Sequence, residues 1–565
     1  MVQANTNLIE QTERERPEVD YWLRMYDQVQ AERSVWDGHW GEVARRIYPE
    51  SDQFRTFRTP GTKVRQEVFS SHGSRALRKS VRIHISLSAP KTSQWHKLTS
   101  DNDDVNKDPA AKQFFEELTR RAFRLRLSPR ARFYETLTPS LMDFLAFGNC
   151  CFFIEETVFG PMYMPVPLSH VWIALDHLGR VQTIFYKNRL PAAAAHTKWR
   201  HVWGDDPPER VRKALEGSNP WEILDFLHIV TPRGNRNPDE FGPGERPWRS
   251  IHIAVDDRAL IEGDSGYFEM PYIFARDMVA TSEIYGRGAG MIVLPEMGTL
   301  NEQKKTFLKS GIKVAAPPLL AGTESSLGGR NVSLVPDALN FGWLDSKGEP
   351  LVKPIQTGAR LDLTREMMQD EIQAIDDSFS LTLFRLLLED PRSGVTAFEI
   401  AQRMQEKGEL IGPAIDAIQS EMFGLETERL VGMMDRIGAM PEIPEVVLEA
   451  GGYQIQYTSP ANQLQRAGEA SAILRTMDSI APLASVDPGI YRKFRQGVTV
   501  DRLMEIYGGP TDVLVPEDEY EEMRAAEAEA AQMAQQAEMM QQGAGTLREG
   551  AQALQLLQGG GNGAA

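Results

Sequence analysis

The stretch that decides the fold consists of two helical patterns separated by an interval of strand and turn. It begins with YGRGAGMIVLPEMGTLNEQKKTFLKSGIKVAAPP at residues 285–318, where Gly298-Thr299-Leu300-Asn301 opens a lysine-rich helix that ends before Pro317-Pro318. It continues with the acidic pattern LDLTREMMQDEIQAIDDSF at residues 361–379, and a third helix begins at Thr396. Glycine and proline punctuate the interval between the first two helices, which predicts only short strands and turns there.

Length and composition indicate a folded protein of several compact parts. The 565 residues exceed what one hydrophobic core organises, and 41% hydrophobic and 25% charged residues are typical of folded chains. No apolar run approaches the roughly 18–20 residues that cross a bilayer, since Arg385 interrupts the most apolar short run. Residues Met1–Arg16 are polar and charged, so we expect no signal peptide and a cytosolic chain.

Cysteine and charge placement narrow the function classes. Cys150 and Cys151 are adjacent among aromatic residues, which predicts reduced, buried thiols rather than a disulfide or metal site. The net charge of −17 argues against a protein that simply coats nucleic acid. Lys and Arg outnumber Asp and Glu by 20 to 10 over residues 41–132, and the balance reverses to 7 against 19 over residues 361–450. Both segments fit solvated faces, and an acidic wall would also let DNA slide without sticking.

The first 290 residues are predicted to form an α+β domain. Four runs of β-branched and aromatic residues between 151 and 186 predict an antiparallel meander. A further strand is expected at 226–230, and Pro207-Pro208 is expected to open a short helix that ends at Leu215. The main predicted helices are Pro17–Tyr48, Ser74–Ser88, one that Asp108 caps and that ends near Leu127, and Ala131–Phe147, which Gly148 closes.

Later segments are predicted to be mostly helical. The expected helices run from Thr396 to about Arg436 with a break at Gly412-Pro413, then from Ala461 to about Ile480 and from Tyr491 to Tyr507. The tail beyond Pro516 is rich in Ala, Glu, Gln and Met, and two states are open for it. It forms either a frayed, disordered segment or a helix that joins its counterparts in a barrel.

Three motifs that suggest a catalytic or binding site fail on their context. Gly263-Asp264-Ser265-Gly266 matches a serine-protease nucleophile motif and His196 precedes it, but the surrounding sequence predicts a turn or helix start. The glycine-rich residues 286–290 lack the strand, helix and acidic residue of a dinucleotide site. Asp101-Asn102-Asp103-Asp104 lacks the ligand spacing of a calcium loop. We therefore expect no enzyme activity, no cofactor and no metal.

A series of landmarks in fixed order resembles the portal, or head-to-tail connector, proteins of short-tailed double-stranded DNA bacteriophages. The series begins at Trp40 and Ile47-Tyr48-Pro49 and continues through Asp143–Gly148 and Tyr285–Gly288. It ends with Thr396–Ile400, Tyr457–Ala461 and Gly508-Gly509-Pro510. Each landmark is weak evidence alone, whereas their order and spacing over most of the chain argue against a chance match.

This resemblance implies a predominantly α-helical α+β fold with wing, stem, clip and crown, assembled into a ring that usually has twelve subunits. The implied parts are a wing at 1–290, stem helices at 291–313 and 361–379, a clip at 314–360, a tunnel loop at 380–394, a long helix at 395–435, a crown at 436–510 and a tail at 511–565. Implied partners are further copies of the chain, double-stranded DNA, the large terminase subunit, major capsid and scaffold proteins, and tail adaptors. The implied location is a capsid vertex of the virion, with assembly in the host cytoplasm and no membrane contact.

Channel residues follow from the same resemblance and from helix periodicity. The candidates for the DNA channel are Lys304, Lys305, Lys309, Lys313, Asp362, Glu366, Asp370 and Asp377, and those for the tunnel loop are Leu383, Phe384 and Arg385. We expect the apolar positions Met367, Ile372, Ile375 and Phe379 to pack between subunits. The lysines equally fit a solvent face against the capsid or the motor. Alternatives for the whole chain are a capsid or scaffold protein, or a serine hydrolase based on Ser265.

Overall fold

The computed structural model places elements along most of the chain. It describes residues 2–51, 68–204, 206–217, 219–236, 242–321, 337–355, 360–382, 415–484, 494–507 and 522–534, with isolated positions between these ranges. Two compact units emerge: one comprises 1–392 and 409–462, and the other 393–408 and 463–565. Among the described residues far more lie in helices than in strands, so the predicted α+β, predominantly helical fold class is confirmed.

Four longer helices, two shorter helices and nine strands build the described part of the chain before residue 289. The helices are α1 (Val2–Arg46), α2 (His72–Ser88), α3 (Pro109–Arg126) and α4 (Phe133–Phe147). The strands and short helices are β1 (His96–Thr99), β2 (Asn149–Thr157), β3 (Gly160–Val166), β4 (Val171–Leu175), β5 (Val181–Pro191), α5 (Ala192–Trp203), α6 (Glu209–Glu216), β6 (Ile223–Pro232), β7 (Trp248–Ala254), β8 (Ala259–Tyr267) and β9 (Tyr272–Arg276).

Helix caps lie where the sequence predicts them. The Asp108 carboxylate accepts hydrogen bonds from the backbone N–H groups of Ala110 and Ala111 at 2.9 and 3.0 Å, which starts α3. Gly148 closes α4 in the left-handed conformation at φ 75°. α1 differs from its prediction because it begins at Val2 rather than Pro17; the good helix formers Gln, Glu and Arg precede the proline.

The predicted four-strand meander is wrong in its connectivity. β2 and β3 form a hairpin that belongs to a three-stranded sheet in the order β3-β2-β9, whereas β4 and β5 begin a five-stranded antiparallel sheet in the order β4-β5-β6-β7-β8. Pro167, which has no N–H for a ladder, and a short 3₁₀ turn at Leu168–His170 separate the two hairpins. The chain changes sheets at this turn.

Both faces of the five-stranded sheet are covered. On one face α1 packs Leu23 and Tyr26 against Phe185 and Ile229, and on the other α5 packs Trp199 against Phe226. Alternate residues of each strand point to opposite faces, so successive positions of β6 serve the two layers. A separate pair of strands, β1 with a later strand from residues 454–457, is described below.

The remaining elements carry the chain out of this domain and back. They are α7 (Ala289–Ile292), α8 (Leu294–Ala315), β10 (Leu319–Ala321), β11 (Val352–Pro354), α9 (Leu361–Ser378), a π-helical turn (Gln419–Gly424), α10 (Leu425–Arg436), α11 (Glu445–Ala450), β12 (Gln454–Tyr457), α12 (Pro460–Ala484) and α13 (Gln496–Tyr507). The sequence prediction lacked α11 and β12. No helix in the described part of the chain is both long and apolar enough to cross a lipid bilayer.

Candidate functional site: the projecting helix pair

The glycine-rich residues before α8 allow two backbone segments to pack closely. The Asn149 amide donates to the carbonyl oxygen of Gly286 at 2.9 Å and accepts from the Gly286 N–H at 2.8 Å. A Cβ added at Gly286 would overlap the Asp277 carbonyl oxygen and lie 2.6 Å from that of Gly148. The space that a phosphate would need is therefore filled by protein backbone, and the glycines permit this close approach.

Helix α8 begins four residues earlier than Gly298, with Pro295 in its first turn. Its first half is anchored, since Met297 and Leu300 are buried in the largest core cluster. Past Phe307 its side chains become mostly exposed. The helix therefore projects from the domain that anchors it.

The four candidate lysines of α8 do not share one face. Lys304 lies on the anchored side, half-buried, with its ammonium 5.5 Å from the Phe307 ring centre. Lys305, Lys309 and Lys313 follow one another at four-residue spacing and form what we call the lysine stripe. Lys305 pairs with Glu302 at 3.3 Å, and among the described residues neither Lys309 nor Lys313 has an ion-pair partner.

The described residues between α8 and α9 form short strands and turns, as predicted. β10 and β11 pair antiparallel, with Leu319 opposite Pro354, and Leu344 bridges to Pro350. The Asp345 carboxylate accepts from the N–H groups of Lys347 and Glu349 at 2.8 and 2.9 Å; these backbone hydrogen bonds lower the pKa of Asp345.

The described apolar side chains of this interval stay largely outside any core. Leu339, Phe341 and Leu344 are exposed, and so are Leu320 and Val335. An exposed apolar surface of this extent is a common mark of a protein–protein interface.

The four predicted acidic residues of α9 lie on one exposed face. Asp362, Glu366, Asp370 and Asp377, which we call the acidic stripe, point away from the buried Met368 and Ile375. Asp362 contacts Arg360 at 3.6 Å, and among the described residues Glu366 and Asp370 have no ion-pair partner.

The prediction that Ile375 and Phe379 pack between subunits is wrong. Both side chains are buried in the chain's own core. Helix α2 supplies the cover that the sequence did not reveal, because it lies against the end of α9. Ile372 is half-buried against the same core, whereas Met367 remains exposed.

Sequence reasoning missed the polar contacts by which α2 holds the end of α9. The His72 ring nitrogen lies 2.8 Å from the Asp376 carboxylate, and the Ser80 hydroxyl donates to the Phe379 carbonyl oxygen at 2.9 Å. His84 continues the same side of α2 and meets the Phe384 ring edge-on at 5.2 Å between centres. Burial lowers the pKa of His84. The available signal was polar residues at multiples of four on a helix with buried neighbours.

Of the tunnel-loop candidates, only Phe384 lies within the described residues. It is 1% exposed and packs with Ile415 and Ala461, so in this structure its ring is not available to a ligand. Leu383 and Arg385 lie outside the described residues, as do most of 380–394 and the predicted helix start at Thr396.

Helix α10, which we call the returning helix, is held against the first domain by two arginines. Arg436 reaches Glu156 at 2.8 Å and Glu269 at 2.7 Å, and Arg429 donates to the Ile154 carbonyl oxygen at 2.9 Å. These contacts, together with the β1–β12 pair, close the long excursion of the chain.

The other sequence candidates acquire structural roles. Gly263–Gly266 lies in β8 rather than at a turn or helix start, because pairing with β7 overrides the turn tendency of Gly, Asp and Ser. The described residues contain no hydrogen bond between the Ser265 hydroxyl and His196 and no cluster suited to a metal ion. Cys150 and Cys151 are buried and free, and burial raises the pKa of both thiols.

Comparison with known proteins finds sequence matches over nearly the whole chain. Residues 20–514 match the family described as bacteriophage head to tail connecting protein. The probable portal protein of Bordetella phage BPP-1 is 23% identical over 544 residues, with 95% of each chain covered. The portal protein of Salmonella phage epsilon15 is 24% identical over 549 residues, with 95% of this chain and 96% of the relative covered.

A solved structure, the neck of the native GTA particle computed with C12 symmetry, covers 76% of this chain and 94% of its own at 11% identity. Its TM-score of 0.34 is too low to support an argument. The family match spans far more than half of the sequence and includes the anchoring domain, the projecting helices and the returning helix. The chain therefore belongs to the family of bacteriophage head-to-tail connecting proteins.

Proposed function

We propose that this chain assembles into a closed ring at one vertex of a phage head and serves as a passive conduit for double-stranded DNA. The observation that carries the proposal is the projection formed by α8, the strand-and-turn interval and α9. It leaves apolar side chains exposed along its length, including Ile312 at 67% and Phe341 at 79%. Isolated subunits of soluble proteins rarely expose such a surface, and contact between subunits would bury it.

Within this proposal each segment takes a part in the ring. Residues 1–290 form the wing, α8 and α9 the stem, and 314–360 the clip, which gains order from its neighbours. Residues 380–394 act as the tunnel loop, 395–435 join wing to crown, 436–510 form the crown, and the tail beyond 511 extends as a barrel or stays disordered. Twelve subunits is the count we propose.

Electrostatics support a channel without sequence specificity. The acidic stripe of α9 is exposed, and helix α9 carries six carboxylates against one arginine. Repeated around a ring, carboxylates repel phosphates and limit the counterion release that would otherwise make DNA adhere. Lysines at intervals give transient contacts, and Lys304 and Lys305 are the proposed positions for them.

The partners we propose follow from the position at a vertex. The clip faces the large terminase subunit during packaging and tail adaptors afterwards, while the wing contacts major capsid and scaffold proteins. Assembly takes place in the host cytoplasm and the product remains in the virion. The ring itself carries out no chemistry.

Imaging of the purified full-length chain tests the proposal. We expect closed rings with a central hole in negative-stain images. Shells would support a capsid or scaffold protein instead, and labelling of Ser265 by an active-site serine probe would support a hydrolase. A well-folded chain that stays monomeric under all assembly conditions overturns the proposal.

Charge reversal tests the channel residues separately. Lys305→Glu with Lys309→Glu should reduce the DNA content of assembled particles or the yield of rings. If packaging and assembly both match the wild type, these lysines do not border the channel.

A further inference from the structure

Helices α8 and α9 each expose an apolar pair beside a charged stripe. On α8, Leu308 and Ile312 are 44% and 67% exposed and lie next to the lysine stripe. On α9, Leu363 and Met367 are 47% and 50% exposed and lie next to the acidic stripe. The two stripes are complementary in charge, and on these antiparallel helices the two apolar pairs lie on opposite flanks of them.

The positions of these residues along the axis of the helix pair, which we call their heights, also correspond. At the far end, the strand ladder places Leu319 opposite Pro354. At the near end, neighbouring residues of α2 contact both helices: His72 lies 2.8 Å from Asp376, and Gly73 packs against the sulfur of Met297. The contacts with α2 place Met297 level with Asp376, and because the chain turns back between the two helices, each step forward along α8 matches one step back along α9.

This register aligns the two surfaces position by position. With a rise of about 1.5 Å per residue, residues at one height agree to within about 3 Å. The charged pairs at matching heights are Lys313 with Asp362, Lys309 with Glu366, and Lys305 with Asp370. Within the chain these groups do not meet, since none of the described ion pairs joins the two stripes.

We infer that the lysine stripe of α8 in one subunit packs against the acidic stripe of α9 in the next, with the two apolar pairs on opposite flanks of this contact. This inference rests on the proposed ring and names its stem contact. Rotation about a ring axis that runs along the helices changes no heights, so residues level within one subunit are level with those of its neighbour. The contact is head-to-tail, because the α8 surface and the α9 surface are different.

The pairing assigns the lysine stripe a second role beside DNA contact. The pairing neutralises most of the charge of both stripes, so the wall of the channel presents paired charges there, and the repulsion of phosphates falls to the carboxylates of α9 that the pairing leaves out. DNA then meets few sites at which it would adhere.

A charge-swap experiment tests this inference on the full-length chain. Lys309→Glu with Lys313→Glu places like charges at the contact and should raise the concentration at which rings dissociate by about tenfold or more. Asp362→Lys with Glu366→Lys should do the same. Combining all four substitutions restores opposite charges and should restore rings, as measured by sedimentation velocity and negative-stain imaging.

Controls distinguish the loss of this contact from a general effect of added charge and from a failure of the wild type to form rings. Lys112→Glu changes an exposed lysine on α3 and should leave ring stability unchanged. Circular dichroism melting shows that each variant remains folded. If the wild type forms no rings, the proposed function fails.

Three outcomes with wild-type rings overturn the pairing alone. The first is that the lysine variants assemble as well as the wild type. The second is that the variant with all four substitutions assembles no better than either double variant. The third is that the lysine variants form normal rings and lose only DNA or terminase binding, which would assign the stripe to those partners.

Discussion

Arg126 and Glu426, three hundred residues apart, form a fully buried ion pair with Nη2 and Oε2 separated by 2.7 Å. The pair joins α3 to α10, and Tyr163 also donates to the same carboxylate. Because the projecting helices lie between these two elements in sequence, the pair fixes the returning chain to the domain that it left.

Glu426→Gln should destabilise the protein strongly. The substitution preserves size but leaves the Arg126 guanidinium buried without a counter-charge, which typically costs about 3–5 kcal/mol. Denaturant unfolding followed by circular dichroism measures the change. The matched control is Glu135→Gln, which removes an exposed partner of Arg132 and should cost less than about 1 kcal/mol. Similar losses for both variants would contradict the importance of burial.

Gly286→Ala should prevent stable folding. The added methyl group overlaps the Asp277 carbonyl oxygen and disrupts the paired hydrogen bonds between Asn149 and Gly286. Backbone atoms on two sides leave no room for a small shift, so we expect a loss of about 3 kcal/mol or more and low soluble yield.

The control for this prediction is Gly41→Ala in α1, where an added Cβ meets nothing within 4 Å. Alanine is the better helix former by up to about 1 kcal/mol, so this variant should be neutral or slightly more stable. Thermal melting compares the two. A Gly286→Ala protein that melts with the wild type would show that this loop is not tightly packed.

Asp143 should make stability depend on pH. Burial raises the pKa of its carboxyl group to about 8, against about 3.9 in an unfolded chain. Between these values the folded protein holds a proton that the unfolded chain has released. The contribution of Asp143 is therefore greatest at acidic pH and is lost as the pH rises from about 4 towards 8.

Asp143→Asn removes this dependence. The stability of the variant relative to the wild type should rise with pH by up to about 1.4 kcal/mol per unit between pH 5 and 8. Parallel denaturation series at several pH values measure the difference. Asp104→Asn is the control, since hydrogen bonding to Lys107 lowers the pKa of this exposed carboxyl and its difference should stay flat above pH 5. A flat difference for Asp143→Asn would show that the carboxyl ionises normally.

Local signals in the sequence predicted local structure well. The Asp108 cap, the Gly148 cap and the bounds of α9 follow from residue types and spacing that act over one or two turns. The exposed acidic stripe follows from the same periodicity.

Partners distant in sequence were not predictable in this way. β2 pairs Asn149 with Arg276, and β1 pairs His96 with Tyr457, which no periodicity in either strand indicates. The buried face of α9 was evident, but the sequence does not say whether α2 or a neighbouring subunit covers Ile375. For the candidate site, the stripes were predicted and their common register was not, since it depends on the contacts that α2 makes with both helices.

Ser380 provides a last test, at the junction between α9 and the segment proposed as the tunnel loop. Its backbone adopts the left-handed conformation at φ 58°, directly after the carbonyl group that Ser80 holds. A side chain in this region costs about 1 kcal/mol relative to glycine, and a β-branched side chain costs more. Ser380→Gly should therefore raise the melting temperature slightly and Ser380→Val should lower it. If valine is tolerated as well as glycine, the junction relaxes to another conformation and α9 does not end in a fixed left-handed turn.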